Sequence, residues 1–300
     1  MRYLLLALGL LAVSSAATPL DLDLYAQLLE KHTRAVPDIG GTRVDYSAVS
    51  RDPAWRRLSE SLEASEVDDL VGEEKLAFWI NAYNILAIDL VARSYPVGSI
   101  KELGSLLRPV WKRKAGTIDG REVTLDEIEH RILRPLGDPR IHGAIVCASL
   151  SCPPLRREPY RGESLDAQLD DNTRRWLADP RKGVAVDPGT RTLRVSSIFE
   201  WFAEDFEAEG GVLAFIERFG PDEARALVRE GGVRIRHLDY DWSLNDLAAS
   251  PGVSRRGGAE MGDRPAGWVP ISAADGARGG TSGPAALVER RERRPGRSAG

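Results

Sequence analysis

The longest helical pattern in the chain runs from Glu73 to Arg93 and is apolar nearly all round. A helix on the surface of a domain keeps one polar face, so a helix without such a face is buried among other elements. We therefore expect a long buried helix near residues 73–93, with the rest of a domain packed around it.

The remaining patterns mix helices and strands without a regular alternation. Helical spacing is found at residues 20–34, 53–62 and 165–178, hairpins are indicated near 111–123 and 184–195, and short strands at 141–147 and 233–238. This mixture favours an α+β fold. We expect one globular domain over residues 18–246, in which helices pack on a central antiparallel or mixed sheet.

Both ends of the chain differ from this domain. Arg2, the apolar run Leu4–Ala12 and the small residues that follow are typical of a secretory signal peptide, assigned here to residues 1–17. From residue 247 to 300 glycine, proline, serine, alanine and arginine dominate, which predicts a disordered tail. We expect an exported protein, periplasmic or secreted, without a transmembrane segment after removal of the signal.

The charge balance bears on possible partners. The chain carries 41 basic and 45 acidic residues, a formal net charge of −4. The basic excess is confined to the tail, so the globular part offers no basic face for nucleic acid. We expect no nucleic-acid partner.

The side chains best suited to nucleophilic chemistry lie together between residues 140 and 154. This stretch holds His142 and both cysteines of the chain, Cys147 and Cys152. A thiol becomes a nucleophile when an imidazole or a positive environment lowers its pKa, and a carboxylate often orients the imidazole. On this hypothesis His142 is the base, one of the cysteines is the nucleophile, and Glu129 is the orienting carboxylate.

The strand predicted to end at Cys147 affects the choice of thiol. Residues an odd number apart on a straight strand point to opposite faces, so Cys147 reaches His142 only if a bulge near Gly143 intervenes. Cys152 lies in the following loop, which could turn back, and Ser149 offers a donor to an oxyanion there. We favour Cys147 slightly, because a thiol at a strand end is better positioned.

Two other interpretations of this stretch stay open. Export permits a Cys147–Cys152 disulfide, with His142 as a core histidine in a non-catalytic envelope binding or scaffold module. A cross-link across so short a loop adds little stability, which suits a local or redox purpose. A metal site is the least favoured, because two cysteines and one histidine lack a fourth ligand unless His130 supplies it. We expect no metal and no cofactor.

Three polar side chains, Asn81, Tyr83 and Asn84, interrupt the long apolar helix. Buried amides need hydrogen-bond partners. They either tie this helix to neighbouring loops, which we favour, or orient the histidine or a substrate amide. In the second case they are binding residues, together with Ser149.

Several motifs of the chain, taken in order, resemble the domain-of-unknown-function 547 family. They are FWINAYN (78–84), YPVGSI (95–100), LDEIEH (125–130), HGAIVCASLSCPP (142–154) and SSIFEWFAEDF (196–206). The resemblance implies a fold and a set of marked positions, and it implies no activity. The predicted function is therefore an inference from the residues: a thiol-dependent hydrolase or acyl-transfer enzyme acting on peptide or amide bonds of a peptide or protein substrate.

Overall fold

The computed structural model describes residues 20–248. The predicted signal peptide and the predicted tail from residue 249 onward lie outside the described residues, so both stay predictions. The tail was expected to begin at Leu247, but the backbone N–H of Leu247 donates to the carbonyl of Val44 (2.9 Å). The bonded part of the chain therefore extends slightly beyond residue 246.

Helices make up most of the described structure. The α-helices are α1 (Leu22–His32), α2 (Tyr46–Arg51), α3 (Pro53–Glu63), α4 (Gly72–Ser94), α5 (Leu125–Glu127), α6 (Leu165–Leu177), α7 (Ile198–Trp201), α8 (Ala203–Glu207), α9 (Gly211–Phe219) and α10 (Asp222–Glu230). Short 3-10 helices cover Ile100–Leu103, Val110–Lys112, Arg134–Leu136, Pro139–Gly143 and Gly162–Ser164, and a π-helix covers Ile128–Leu133. The π-helix continues α5 without a break.

The strands found in residues 20–248 form three small sheets. They are β1 (Thr33–Ala35), β2 (Thr42–Val44), β3 (Lys114–Ile118), β4 (Arg121–Thr124), β5 (Val184–Asp187), β6 (Thr192–Val195) and β7 (Arg234–His237). Strands β1 and β2 pair antiparallel, as do β3 and β4, while β6 lies antiparallel to β5 and parallel to β7. The predicted α+β class is confirmed, with helices packed on these small sheets in place of one central sheet.

The predicted central helix is α4, and its burial follows from its composition. Ile80 and Val91 on one side of the helix and Ala82 and Ile85 on the opposite side are all completely buried. By length and composition α4 could also cross a membrane, but 78% of the relevant window is buried inside the fold, as expected of a core helix. The β3–β4 hairpin packs directly on it, since a Cβ at Gly116 would lie 2.5 Å from a methyl carbon of Leu86.

The prediction of a strand from Ile141 to Cys147 is wrong. Residues Pro139–Gly143 form a 3-10 helix, which Asp138 caps by accepting a hydrogen bond from the backbone N–H of Arg140 (2.9 Å). The residues that follow, through 148, belong to no strand. The apolar run is buried as expected, but it does not alternate between two faces. Strand parity therefore does not decide which thiol can approach His142.

Candidate active site

The loop that carries both thiols is held by a side chain of the central helix. Asn84 donates from Nδ2 to the carbonyl of Ala144 (3.0 Å) and accepts at Oδ1 from the N–H of Val146 (2.8 Å). This amide supplies hydrogen-bond partners to buried backbone groups that would otherwise need a neighbouring strand. It fixes the chain immediately before Cys147.

Asn81, one turn earlier in α4, binds the backbone of another loop in the same way. Its Nδ2 donates to the carbonyl of Tyr160 (2.7 Å), and its Oδ1 accepts from the N–H of the same residue (2.9 Å). Both asparagines therefore bind backbone groups of neighbouring loops. Their place inside an apolar helix has a structural explanation that needs no ligand.

The backbone turns sharply between the two cysteines. Ala148 has a φ of +65°, a left-handed conformation that is strained for a residue with a side chain. The turn directs the N–H of Cys147 to the sulfur of Cys152 (3.2 Å), and the N–H of Ser149 also stabilises charge on that sulfur. Neighbouring N–H groups in such a turn form a concavity that favours an anion. The loop is thus shaped to hold a thiolate at Cys152.

A distant segment, residues 240–245, runs antiparallel beside this loop. The N–H of Leu150 donates to the carbonyl of Ser243 (2.8 Å), and the N–H of Asn245 donates to the carbonyl of Ala148 (2.9 Å). These bonds fix the register between the two segments. As a result, the first residue of the segment, Tyr240, lies over the sulfurs.

The two sulfurs touch each other. Both cysteines are free thiols, and their Sγ atoms lie 2.8 Å apart, so the predicted disulfide is not formed in the described residues. The Tyr240 hydroxyl lies 3.2 Å from the sulfur of Cys152 and 3.7 Å from that of Cys147, and Ser149 Oγ lies 3.5 Å from Cys147. Cys152 is 2% exposed, whereas Cys147 is partly exposed. A substrate would therefore meet Cys147 first.

The surroundings of the two thiols separate their acidities. Burial raises the pKa of Cys152, but hydrogen bonds from Cys147, Tyr240 and the backbone outweigh this effect and lower that pKa to about 7. The pKa of Cys147 lies well above its usual range, because its proton is donated to Cys152 and because the group is desolvated. Near neutral pH Cys152 is therefore partly ionised, whereas Cys147 keeps its proton.

A buried lysine that the sequence did not single out reaches the same loop. Lys182 is 2% exposed, and its Nζ donates to the carbonyls of Gly40 (3.0 Å) and Leu150 (3.4 Å). It forms no ion pair within residues 20–248. Burial lowers its pKa to about 8, and negative charge on Cys152 opposes this lowering. Lys182 is therefore a cation that stabilises the thiolate from inside the protein.

Aromatic rings form one wall beside the thiols. The ring of Tyr240 lies 4.5 Å from that of Trp242 and 4.7 Å from that of Trp201, and Trp111 lies 6.0 Å from Trp242, measured between ring centroids. Trp201 is buried, whereas Trp111 and Trp242 are partly exposed. This aromatic row leads from the sulfurs to the surface.

His142 has a carboxylate partner, but it is Asp205 in α8 and not Glu129. The distance from His142 Nε2 to Asp205 Oδ2 is 2.6 Å, and Arg134 donates to both oxygens of the same carboxylate (2.7 and 2.8 Å). Burial raises the pKa of Asp205, yet these bonds outweigh it and hold the pKa at about 2; burial lowers the pKa of His142. Within the described residues, His142 has no hydrogen bond to either thiol.

Glu129 lies in the π-helix and accepts a hydrogen bond from the Tyr83 hydroxyl (3.3 Å). Burial raises the pKa of Glu129 to about 8, so at neutral pH it is an uncharged acid. Burial, Glu129 and the charges of both cysteines raise the pKa of Tyr83. Glu129 therefore binds the Tyr83 hydroxyl, and it does not orient the imidazole. A π-turn within a helix is frequent at functional sites.

Three residues of this site were not predicted from the sequence: Asp205, Tyr240 and Lys182. Asp205 stands inside the motif at 196–206 and Tyr240 inside an acidic and aromatic run, so both carried a weak signal. No sequence signal marked Lys182. Over residues 20–248, no group of three or more His, Cys, Asp or Glu side chains is arranged to hold a metal ion.

Comparison with known families identifies the segment that contains the thiols. The model of a family described as "Protein of unknown function, DUF547" matches residues 67–177. This segment belongs to the DUF547 family. The resemblance inferred from the motifs is confirmed. The DUF547 segment contains α4 and both cysteines, whereas Tyr240, Lys182 and Asp205 lie beyond it. No curated protein matches the chain, and no solved structure matches it.

Proposed function

We propose that this protein is a thiol enzyme in which Cys147 and Cys152 perform thiol–disulfide exchange. The observation that carries the proposal is the contact between two free sulfurs, 2.8 Å apart, of which one has a lowered and the other a raised pKa. Exchange requires one sulfur that attacks and a second that resolves the mixed disulfide. This pair supplies both within one loop.

The protein reduces a substrate disulfide in two steps. The more exposed Cys147 attacks one substrate sulfur while its proton passes to Cys152, and the other substrate sulfur leaves as a thiolate. Cys152 then attacks the sulfur of Cys147, the Cys147–Cys152 disulfide forms, and the second substrate sulfur leaves with the Cys152 proton. The protein loses two electrons and the substrate gains them. A second dithiol–disulfide couple restores the reduced pair.

The substrate class that fits is a peptide or protein that carries a disulfide or a dithiol. The aromatic row beside the sulfurs offers an apolar wall for the residues that flank such a group. Lys182 and the backbone N–H groups stabilise the thiolate of Cys152, which is the base that receives the proton of Cys147.

Acyl transfer from peptide or amide bonds, the reaction predicted from the sequence, is a second candidate. One observation favours it: Cys147 has a thiolate base in contact and the Ser149 hydroxyl at 3.5 Å, where it could donate to an oxyanion. In this form Cys152 replaces His142 as the base. The two reactions differ in whether a sulfur is needed at position 152.

Two single variants separate these reactions. Reduced protein is mixed with oxidised glutathione, and adducts are located by mass spectrometry. We expect wild type to form the Cys147–Cys152 disulfide reversibly, and Cys152→Ser to accumulate a mixed disulfide at Cys147. Cys147→Ser should react much more slowly, because its remaining thiol is buried. The proposal fails if the pair stays reduced against every thiol couple tested, or if both variants react alike. A disulfide that no dithiol can reduce would favour the scaffold alternative.

We also propose export, on the strength of the pattern in residues 1–17. An oxidising compartment would let the pair cycle through its disulfide form. Mass spectrometry of the mature protein from its own cells should find an N-terminus near Thr18. A mature chain that still begins at Met1 would contradict export by cleavage.

A further inference from the structure

Two leucines stand at the tip of a tight turn on the surface. Leu106 is 95% exposed and Leu107 is 98% exposed. The turn is closed by a reciprocal pair of backbone bonds, from the N–H of Ser105 to the carbonyl of Arg108 (3.0 Å) and from the N–H of Arg108 to the carbonyl of Ser105 (3.2 Å). The leucines are therefore presented by an ordered turn and not by a loose strand end.

The stem of this turn is tightly packed. Ser105 Oγ accepts a second bond from the N–H of Arg108 (3.1 Å). A Cβ at Gly104 would lie 2.5 Å from the backbone nitrogen of Val110, so the two sides of the stem approach as closely as only glycine allows. Single exposed leucines are common on proteins, but an adjacent pair held outward by a closed turn is not explained by packing.

Exposed basic residues flank the leucines in the sequence. Residues 101–114 contain Lys101, Arg108, Lys112, Arg113 and Lys114, all exposed, against a single acidic residue, Glu102. Lys114 pairs with Glu122 (2.8 Å), whereas Lys101, Arg108 and Lys112 form no ion pair within the described residues. This concentration of positive charge stands out in a chain whose formal net charge is −4.

We propose that the turn at residues 104–109 inserts Leu106 and Leu107 into the surface of an anionic lipid membrane. Leucines at such a tip can enter the boundary between headgroups and acyl chains, while the neighbouring lysines and arginines bind lipid phosphates. We favour a membrane over a protein surface because the apolar contact consists of only two side chains and the exposed residues that flank it in the chain are mostly cationic. The proposal does not depend on the thiol chemistry.

The neighbouring aromatic residues fit the same orientation. Trp111 and Trp242 are partly exposed, and Lys101 Nζ lies 4.8 Å from the ring centroid of Trp242. Tryptophan is enriched at the interface between membrane and water, where one edge of the ring is apolar and the other polar. Because Trp242 lies against Tyr240, and Tyr240 against Cys152, a membrane bound at the turn would lie beside the entrance to the thiols.

The first test is sedimentation of the full chain with vesicles of phosphatidylcholine containing phosphatidylglycerol. We expect Leu106→Ser/Leu107→Ser to weaken binding at least about tenfold, since each fully buried leucine contributes more than a factor of ten in this regime. Val71→Ser, a matched change at a position 71% exposed elsewhere on the surface, should leave binding unchanged. Equal binding of the double variant and wild type would overturn the proposal.

Two further arms identify the lipid and the inserted residue. Lys101→Gln/Arg108→Gln/Lys112→Gln should weaken binding to the anionic vesicles about tenfold or more and reduce its dependence on salt, with little effect on vesicles of phosphatidylcholine alone. Brominated lipid should quench a tryptophan introduced as Leu107→Trp, and not one introduced as Val71→Trp. If neither is quenched while the protein still sediments, another part of the chain binds the membrane and the proposal is wrong.

Discussion

Replacing Tyr240 with phenylalanine removes one hydroxyl group from the thiol pair and keeps the ring that packs on Trp201 and Trp242. That hydroxyl lies 3.2 Å from the sulfur of Cys152, and the pKa of that thiol is lowered to about 7. A hydrogen bond to a charged group contributes about 1.5–3 kcal/mol. Because sulfur is a weaker acceptor than oxygen and other donors remain, we take the lower end of this range.

An energy of about 1.4 kcal/mol corresponds to one pKa unit. We therefore expect the pKa of Cys152 to rise by about one unit in Tyr240→Phe. At pH 7 the thiolate fraction then falls from about one half to roughly one tenth, and alkylation of that sulfur slows about fivefold. The difference should vanish at high pH, where both proteins are fully ionised at this position.

Alkylation of the reduced protein by iodoacetamide, followed over pH and located by peptide mass, measures this change directly. Tyr160→Phe is the matched control, since the Tyr160 hydroxyl is buried without a hydrogen-bond partner among the described residues. Its profile should coincide with wild type. If Tyr240→Phe also gives the wild-type profile, or a lower pKa, then the tyrosine does not stabilise the thiolate and the assignment of charge within the pair is wrong.

Two predictions concern other charges of the site. Asp205→Asn should lower the free energy of unfolding at pH 7 by roughly 2–3 kcal/mol, measured in urea, because Arg134 and His142 lose a charged partner. In the folded protein the pKa of Asp205 is about 2, below the ordinary 3.8. This stabilisation is therefore complete above about pH 4 and disappears towards pH 2. The variant should lack this dependence of the free energy of unfolding on pH. The folded pKa of Lys182 is also lowered, to about 8, so the unfolded state binds its proton more tightly and wild-type stability should rise between about pH 8 and 10.5. Lys182→Met should abolish that rise and raise the pKa of Cys152; an unchanged rise, or an unchanged thiol, would contradict the placement of the ammonium group.

Local signals in the sequence predicted much of the fold. Helix α4 could be predicted because a helix that is apolar on every side has to be buried. The β5–β6 hairpin was found from its Pro188-Gly189 turn between two alternating segments. The order Thr124-Leu125-Asp126-Glu127 is the sequence pattern of a helix start, and Thr124 Oγ1 accepts a hydrogen bond from the N–H of Glu127 (3.0 Å), three residues ahead. Each of these features depends on neighbours in the chain.

The loop that carries the thiols could not be predicted in this way. An apolar run such as 141–147 reads as a buried strand when its backbone partners are unknown. Its partner is the side chain of Asn84, about 60 residues earlier, which no periodicity reveals. For the same reason the site was only half predicted: both cysteines were found, but Tyr240 is 88 residues from Cys152 and Asp205 is 63 from His142.

The contacts of His142 indicate a role different from that of the catalytic base predicted from the sequence. Its Nε2 is occupied by Asp205 at 2.6 Å, its ring packs on Phe202 with centroids 4.2 Å apart, and burial lowers its pKa. A neutral, enclosed imidazole at the end of the 3-10 helix anchors the start of the thiol loop, and the proton of Cys147 has a nearer acceptor in Cys152. Whether His142 only positions the loop or acts as the base can be measured. If His142 only positions the loop, Asp205→Asn reduces stability while the two thiol pKa values stay close to wild type. If His142 is the base, the same variant shifts the thiol profile as strongly as Tyr240→Phe does.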